Sequence, residues 1–103
     1  MAHCPYDRLA DLEPALAEIR TWDHIREASP GVFYIRRTPF LHFHVKGDTR
    51  WADARHGTNW GPPIDIPEGA SPRACKAFLA SVRDCYVETC AAVVKPPRKT
   101  PQP

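Results

Sequence analysis

The sequence holds only five glycines in 103 residues, none adjacent to another, so it has no glycine-rich loop of the kind that cradles a phosphate. It also lacks a Gly-x-Ser-x-Gly elbow, a common local signature of a serine hydrolase. Its four cysteines, Cys4, Cys75, Cys85 and Cys90, include no Cys-x-x-Cys pair and fit the spacing of no compact stapled scaffold. Reduced thiols are expected, and with them a cytoplasmic address. No apolar run approaches the ~18 residues that a membrane helix needs. The opening residues, Met1 to Pro5, show no basic stretch followed by an apolar one, so no secretory signal is expected.

An excess of one charge is lacking too. Fourteen Lys and Arg residues face twelve Asp and Glu, a net of +2. Three of the positive charges, Lys95, Arg98 and Lys99, lie beyond the last acid, Glu88. Residues 1–90 therefore stand at −1, and a pI near 8.4 does not mark the body as a nucleic-acid binder. The middle third is locally basic, with Arg36, Arg37, Lys46, Arg50 and Arg55 against only Asp48 and Asp53.

What is present reads as one small core. Hydrophobic residues make up 43% and charged residues 25%, ordinary proportions for a globular chain that folds unaided. Four of the twelve prolines (Pro96, Pro97, Pro101, Pro103) crowd into the last eight residues. We therefore expect one domain over residues 1–92 and a flexible, basic, Pro-rich tail over 93–103.

Leu9, Leu12, Leu16 and Ile19 recur at helical steps, and Pro14 suits a first turn, so the main N-terminal helix should start near Glu13 and end around Arg20 to Trp22. Residues 23–30 either extend it or form an irregular approach to the sheet, and Ser29-Pro30-Gly31 is a firm stop. Val32 to Arg36 is β-branched and aromatic, the mark of a strand. Phe40 to Val45 alternates, with Leu41, Phe43 and Val45 on one side and His42, His44 and Lys46 on the other. Lys46 to Thr49 forms a turn, and Arg50 to Arg55 a third strand. Residues 56–63 read as a loop, and Ile64 to Ile66 allows a short edge strand ended by Pro67. Ser71 and Pro72 open a second helix, whose apolar stripe from Cys75 through Tyr86 reaches about Cys90. The expected fold is α+β: an N-terminal helix, a three-stranded antiparallel meander with an optional fourth edge strand, and a C-terminal helix, with both helices on one face of the sheet.

That arrangement leaves a second face bare, carrying His42 and His44 with Tyr34, Arg36, Asp53 and Arg55 as neighbours and Trp51 exposed among them. Two histidines at i and i+2 on a strand present both rings to one side, where zinc or another divalent metal would take them, given a third ligand. Asp53 and His56 are nearest in sequence, and Asp53 shares the face only if the strand register cooperates. The plainer reading is a pair of polar histidines on a solvated or dimer-buried surface. Between these stands a site in which the imidazoles serve as hydrogen-bond donors or as a general base. Tyr34, Arg36, Lys46, Arg50, Trp51 and Arg55 also compose a basic, aromatic sheet of the type that stacks nucleic acid bases. Trp22, Trp51 and Trp60 offer pocket walls, although packing at the helix–sheet margin is the expected role of two of them. Asp7, Asp11 and Glu13 read as exposed helix-start charge.

The motifs Pro30-Gly31-Val32-Phe33-Tyr34, Pro39-Phe40-Leu41-His42-Phe43-His44 and Ala52-Asp53-Ala54-Arg55 resemble those of a small bacterial domain family without an assigned activity. The resemblance covers roughly residues 12–56, and the order of elements also looks remotely like YjbR-type domains. It implies the fold and supplies no chemistry. The expected function is a non-catalytic binding or interaction module using the open sheet face, with self-association into a homodimer as one form. A small metal-dependent or acid–base enzyme centred on His42 and His44 is the alternative, and nucleic-acid binding a further one. No membrane partner is expected.

Overall fold

A computed structural model describes residues 6–94. A 3-10 helix, Tyr6–Leu12, leads directly into α1, Glu13–Ile19. Six strands follow: β1 Ile25–Ser29, β2 Val32–Ile35, β3 Thr38–Lys46, β4 Thr49–His56, β5 Asn59–Trp60 and β6 Ile64–Asp65; α2, Pro72–Val93, closes the chain. The class is α+β with an antiparallel sheet, and the sheet is larger than a three-stranded meander. Its order is β1-β2-β3-β4-β5, with β6 also pairing β4, at Trp51 and Ala52, next to the stretch that β5 pairs. The two extra strands lie where the sequence looked irregular. β1 has no apolar alternation because its bulge at Ala28 and its edge position expose most of it. β5 is only two residues long, held by its turn and not by a pattern of its own.

Local chemistry explains the boundaries. Pro14 sits in the first turn of α1, and Ser71 caps α2 by accepting a hydrogen bond from the Ala74 N–H through its Oγ, with Pro72 following. Gly31 takes φ +79° between β1 and β2, and a Cβ there would stand 2.8 Å from Leu9 Cδ1, so both torsion and space demand glycine. α2 continues past Cys90 to Val93; residues 95–103 of the expected tail, and Cys4, fall outside the described residues.

The core gathers on one side of the sheet. Phe33, Ile35, Leu41, Phe43, Ala52 and Ala54 meet Leu12, Leu16 and Ile19 from the N-terminal helices and Phe78, Val82 and Tyr86 from α2. Ala52 and Ala54 are small where α2 crosses β4, which allows close packing there. Strict alternation would put Phe40 outside. A bulge in β3 sets Phe33 against Leu41 and Tyr34 against Pro39, so Phe40 and Leu41 both turn inward and are fully buried.

The expected placement of both helices on one sheet face is met only in part. α2 lies along β4 and β3, whereas α1, too short at seven residues to span the sheet, leans on α2 and the 3-10 helix. An Arg20–Glu27 ion pair at 2.7 Å ties the end of α1 to β1. Among the described residues no helix is long and apolar enough to cross a membrane.

Candidate functional site

Register decides what the uncovered face carries. β3 and β4 run through six consecutive antiparallel pairs, with His42 opposite Asp53 and His44 opposite Trp51. Directly paired residues share a face. His42, His44, Trp51 and Asp53 are therefore held together by an unbroken ladder, on the side away from α1 and α2.

Their side chains converge. His44 Nε2 lies 2.9 Å from Asp53 Oδ2, a hydrogen-bonding distance, and His42 Nε2 lies 3.9 Å from the same oxygen. One potential ligand atom from each of the three falls within 4.8 Å of the others. The side chains are half-buried, at 36% exposed for His42, 21% for His44 and 26% for Asp53. The two imidazoles meet edge to face with centroids 4.6 Å apart. Trp51 stacks on His44 at 5.1 Å, and Trp60 leans on His42 at 4.9 Å, so an indole backs each ring. The His42 imidazolium is disfavoured first by burial and then by the neighbouring His44; Asp53 opposes both, and the net is a pKa below the ordinary value.

Trp60 reaches the site through a hairpin that the sequence reads as loop. Gly57-Thr58 turns the chain, and Asn59–Trp60 pairs back on His56 and Arg55. Arg55 fixes the hairpin from the open side, donating from Nε to the Pro39 carbonyl at 2.7 Å and from Nη1 to the Thr58 carbonyl at 3.1 Å, with its guanidinium 4.6 Å from the Trp60 ring centre. Thr89 of α2 fixes it from beneath: its hydroxyl donates to the Arg55 carbonyl and accepts from the Gly57 N–H. The hairpin partly roofs the face without sealing it, since Trp60 itself is 43% exposed.

The remaining expected site residues separate from this cluster. Tyr34 is on the open face but opposite Pro39, three residues along β3 from His42, or about 10 Å. Its ring is covered by Arg26, 4.9 Å away. Arg36 is not a strand residue; it occupies the β2–β3 turn at φ +57°. His56 ends β4 beyond Arg55 and is not one of the three clustered donors.

Arg50 requires the largest revision. Grouped by sequence with the exposed basic residues, it lies on the core face of β4 with its side chain 0% exposed. All five of its N–H donors are used. Nη1 and Nη2 grip the Asp11 carboxylate at 2.7 and 2.8 Å, and the rest donate to the carbonyls of Arg8, Ile66 and Pro67. Asp11 is thus no free helix-start charge. The Arg50 guanidinium, helped by the Ala70 N–H, holds its carboxyl down from 3.8 to about 2. Nothing in the local sequence announces this pair, because its members lie 39 positions apart.

Elsewhere, a cleft of about 610 Å³ runs between α1 and α2, lined by Trp22, Asp23, Lys76, Leu79, Arg83 and Tyr86 among others. Arg83 lies over both Trp22 and Tyr86 there. Cys75, Cys85 and Cys90 are free thiols of α2; burial pushes the last two above the ordinary thiol range, which makes them weak nucleophiles. Compared with known proteins, the chain matches no family model, no curated protein and no solved structure.

Proposed function

We propose that this domain is a non-catalytic binding module that takes a small polar ligand on the open sheet face, over His42, His44 and Asp53 and between Trp51 and Trp60. One observation carries the reading: two imidazoles and a carboxylate converge on a single point with hydrogen-bonding capacity left over, each ring backed by an indole. Solubility alone does not call for half-buried polar groups gathered beside two tryptophans.

Catalysis is the second reading. Asp53 Oδ2 lies 2.9 Å from His44 Nε2, where a carboxylate that orients a general base would stand. Binding is preferred because the cluster lies on a sheet surface, whereas an acid–base site gains most in a cleft that excludes water. Self-association through the same face is weakened by its polarity, Trp60 being the large apolar group that stands out there. Nucleic-acid binding loses Arg50 to the core and has Arg55 already engaged.

The three indole N–H groups give an internal control, since Trp22 packs on Tyr86 beside the helices. In ¹H–¹⁵N spectra titrated with a library of small heteroaromatic acids and amines, hits should move the Trp51 and Trp60 indole signals and leave that of Trp22 in place. Hits gathering on Trp22, or an entire library that leaves both open-face indoles unmoved, would refute the proposal.

A further inference from the structure

Resting on that reading of the face, we infer that His42, His44 and Asp53 form a three-ligand site for one first-row transition dication, with the ion's remaining positions open to solvent or to an exogenous ligand. The donor set selects the class. Two neutral imidazoles and one carboxylate suit zinc, iron(II) or cobalt(II); magnesium and calcium prefer oxygen alone, and copper(I) prefers sulfur. The described thiols lie on α2, across the sheet from the imidazoles, and do not compete for the ion.

Geometry supports the choice. With metal–ligand bonds of about 2.1 Å, neighbouring donors sit about 3.0 Å apart on an octahedron and about 3.4 Å apart on a tetrahedron. His44 Nε2 and Asp53 Oδ2, at 2.9 Å, already span an octahedral edge. His42 Nε2 stands 3.9 Å from that oxygen, and the three donors spread over as much as 4.8 Å, so the His42 ring must close on both partners by about 1–2 Å to reach either shape. The His42 side chain is the one placed to move, because among the described residues none hydrogen-bonds its ring and it is the most exposed of the three. The backbone needs no change, since all three ligands stand on one paired two-strand ladder.

The indoles complete the argument. Trp51 stacks on His44 and helps to hold it beside Asp53, so that pair is preorganised, whereas Trp60 leans on His42, the ligand that must move. Three protein ligands with a solvent-facing opening also distinguish the site from a closed structural zinc site, which uses four.

The test uses protein carrying no histidine tag, stripped with a chelator and titrated calorimetrically with zinc chloride, then with cobalt(II) chloride followed by visible absorption. One ion per chain is expected, with cobalt bands reporting nitrogen and oxygen ligands and quenching of tryptophan emission. His42→Ala, His44→Ala and Asp53→Asn should each weaken zinc binding by more than ~100-fold, beyond the 10–100-fold usual for losing a supporting group. His24→Ala and His56→Ala should leave it unchanged. Asp53→Asn keeps the side-chain shape, so it remains informative if a histidine variant fails to fold. No uptake at about 100 μM ion, or uptake that survives all three ligand variants, would overturn the inference. If zinc is not taken up while the fragment library still moves Trp51 and Trp60, the metal fails and the binding face stands; if both are silent, both fail.

Discussion

The two faces of β4 carry charged groups only three positions apart, and they are treated in opposite ways. Arg50 points into the core, where a carboxylate and three carbonyls take every donor it has. Asp53 points outward, lies 2.9 Å from one imidazole and stands near a second that no described group hydrogen-bonds. Both set nitrogen-bearing side chains against a carboxylate brought in from another strand or a distant segment. The difference lies in saturation. A buried guanidinium with any donor left unpaired would carry a large desolvation cost, so its environment is complete and has nothing to offer a ligand. The part-exposed imidazole pair carries a smaller penalty, which it can avoid by staying neutral, and keeps capacity to bind.

The comparison is tested most severely by removing one charge from each face. Arg50→Met leaves Asp11 and three carbonyls without their partner, and should cost ~3–5 kcal/mol of folding free energy or prevent folding altogether. Asp53→Asn should cost less than ~1 kcal/mol, as half-exposed ion pairs do. Urea denaturation of both variants reads the two values. Similar losses would show that the open-face cluster is a structural clamp after all.

Acid should separate the faces next. The Asp11 carboxyl has its pKa lowered to about 2 in the folded chain from 3.8. The unfolded chain therefore takes up this proton first, and the stabilisation is complete above pH ~4 and lost as pH falls towards 2. Allowing for solvent screening of a carboxylate that is not fully buried, the term should be ~1–2 kcal/mol. The stability gap between the natural chain and Asp11→Asn, followed by denaturation from pH 5 to 2, should shrink by that amount. A gap that stays constant would detach the ion pair from stability.

These contrasts also show what a sequence makes legible. The alternation of Phe40 to Lys46 is enough to place His42 and His44 together and outside, because one face of β3 must be apolar to meet α2. Asp53 is legible only conditionally: the two-residue turn at Gly47-Asp48 sets the register that puts it opposite His42, and a slip of one residue would bury it. Trp60 escapes because a two-residue strand has no periodicity; its position comes from the Gly57-Thr58 turn and from Thr89 on a distant helix. Arg50 escapes for a different reason. An arginine at a core position breaks the apolar pattern, and composition favours reading it as surface. The telltale signal, visible only with hindsight, is that Arg50 shares a strand face with Ala52 and Ala54. Arg36 shows the converse, since a strand-like run ends one residue before it, in a left-handed turn conformation that arginine rarely takes.

The smallest effect is also the most direct reading of the open face. Burial lowers the His42 pKa, His44 lowers it further, and Asp53 pulls it back. Its midpoint in two-dimensional NMR titrations should therefore lie below 6.5 in the natural chain. Asp53→Asn should depress it further, because the only opposing influence is gone. His44→Ala should raise it, by removing a like charge and admitting water to the ring. Protonation disfavoured in the folded state means that this group costs stability as pH falls below the unfolded value, so it acts in the same direction as Asp11 but in a window at higher pH. A His42 that titrates normally and ignores both substitutions would mean that the three side chains do not sense one another, and the convergence on which the binding face depends would be only apparent.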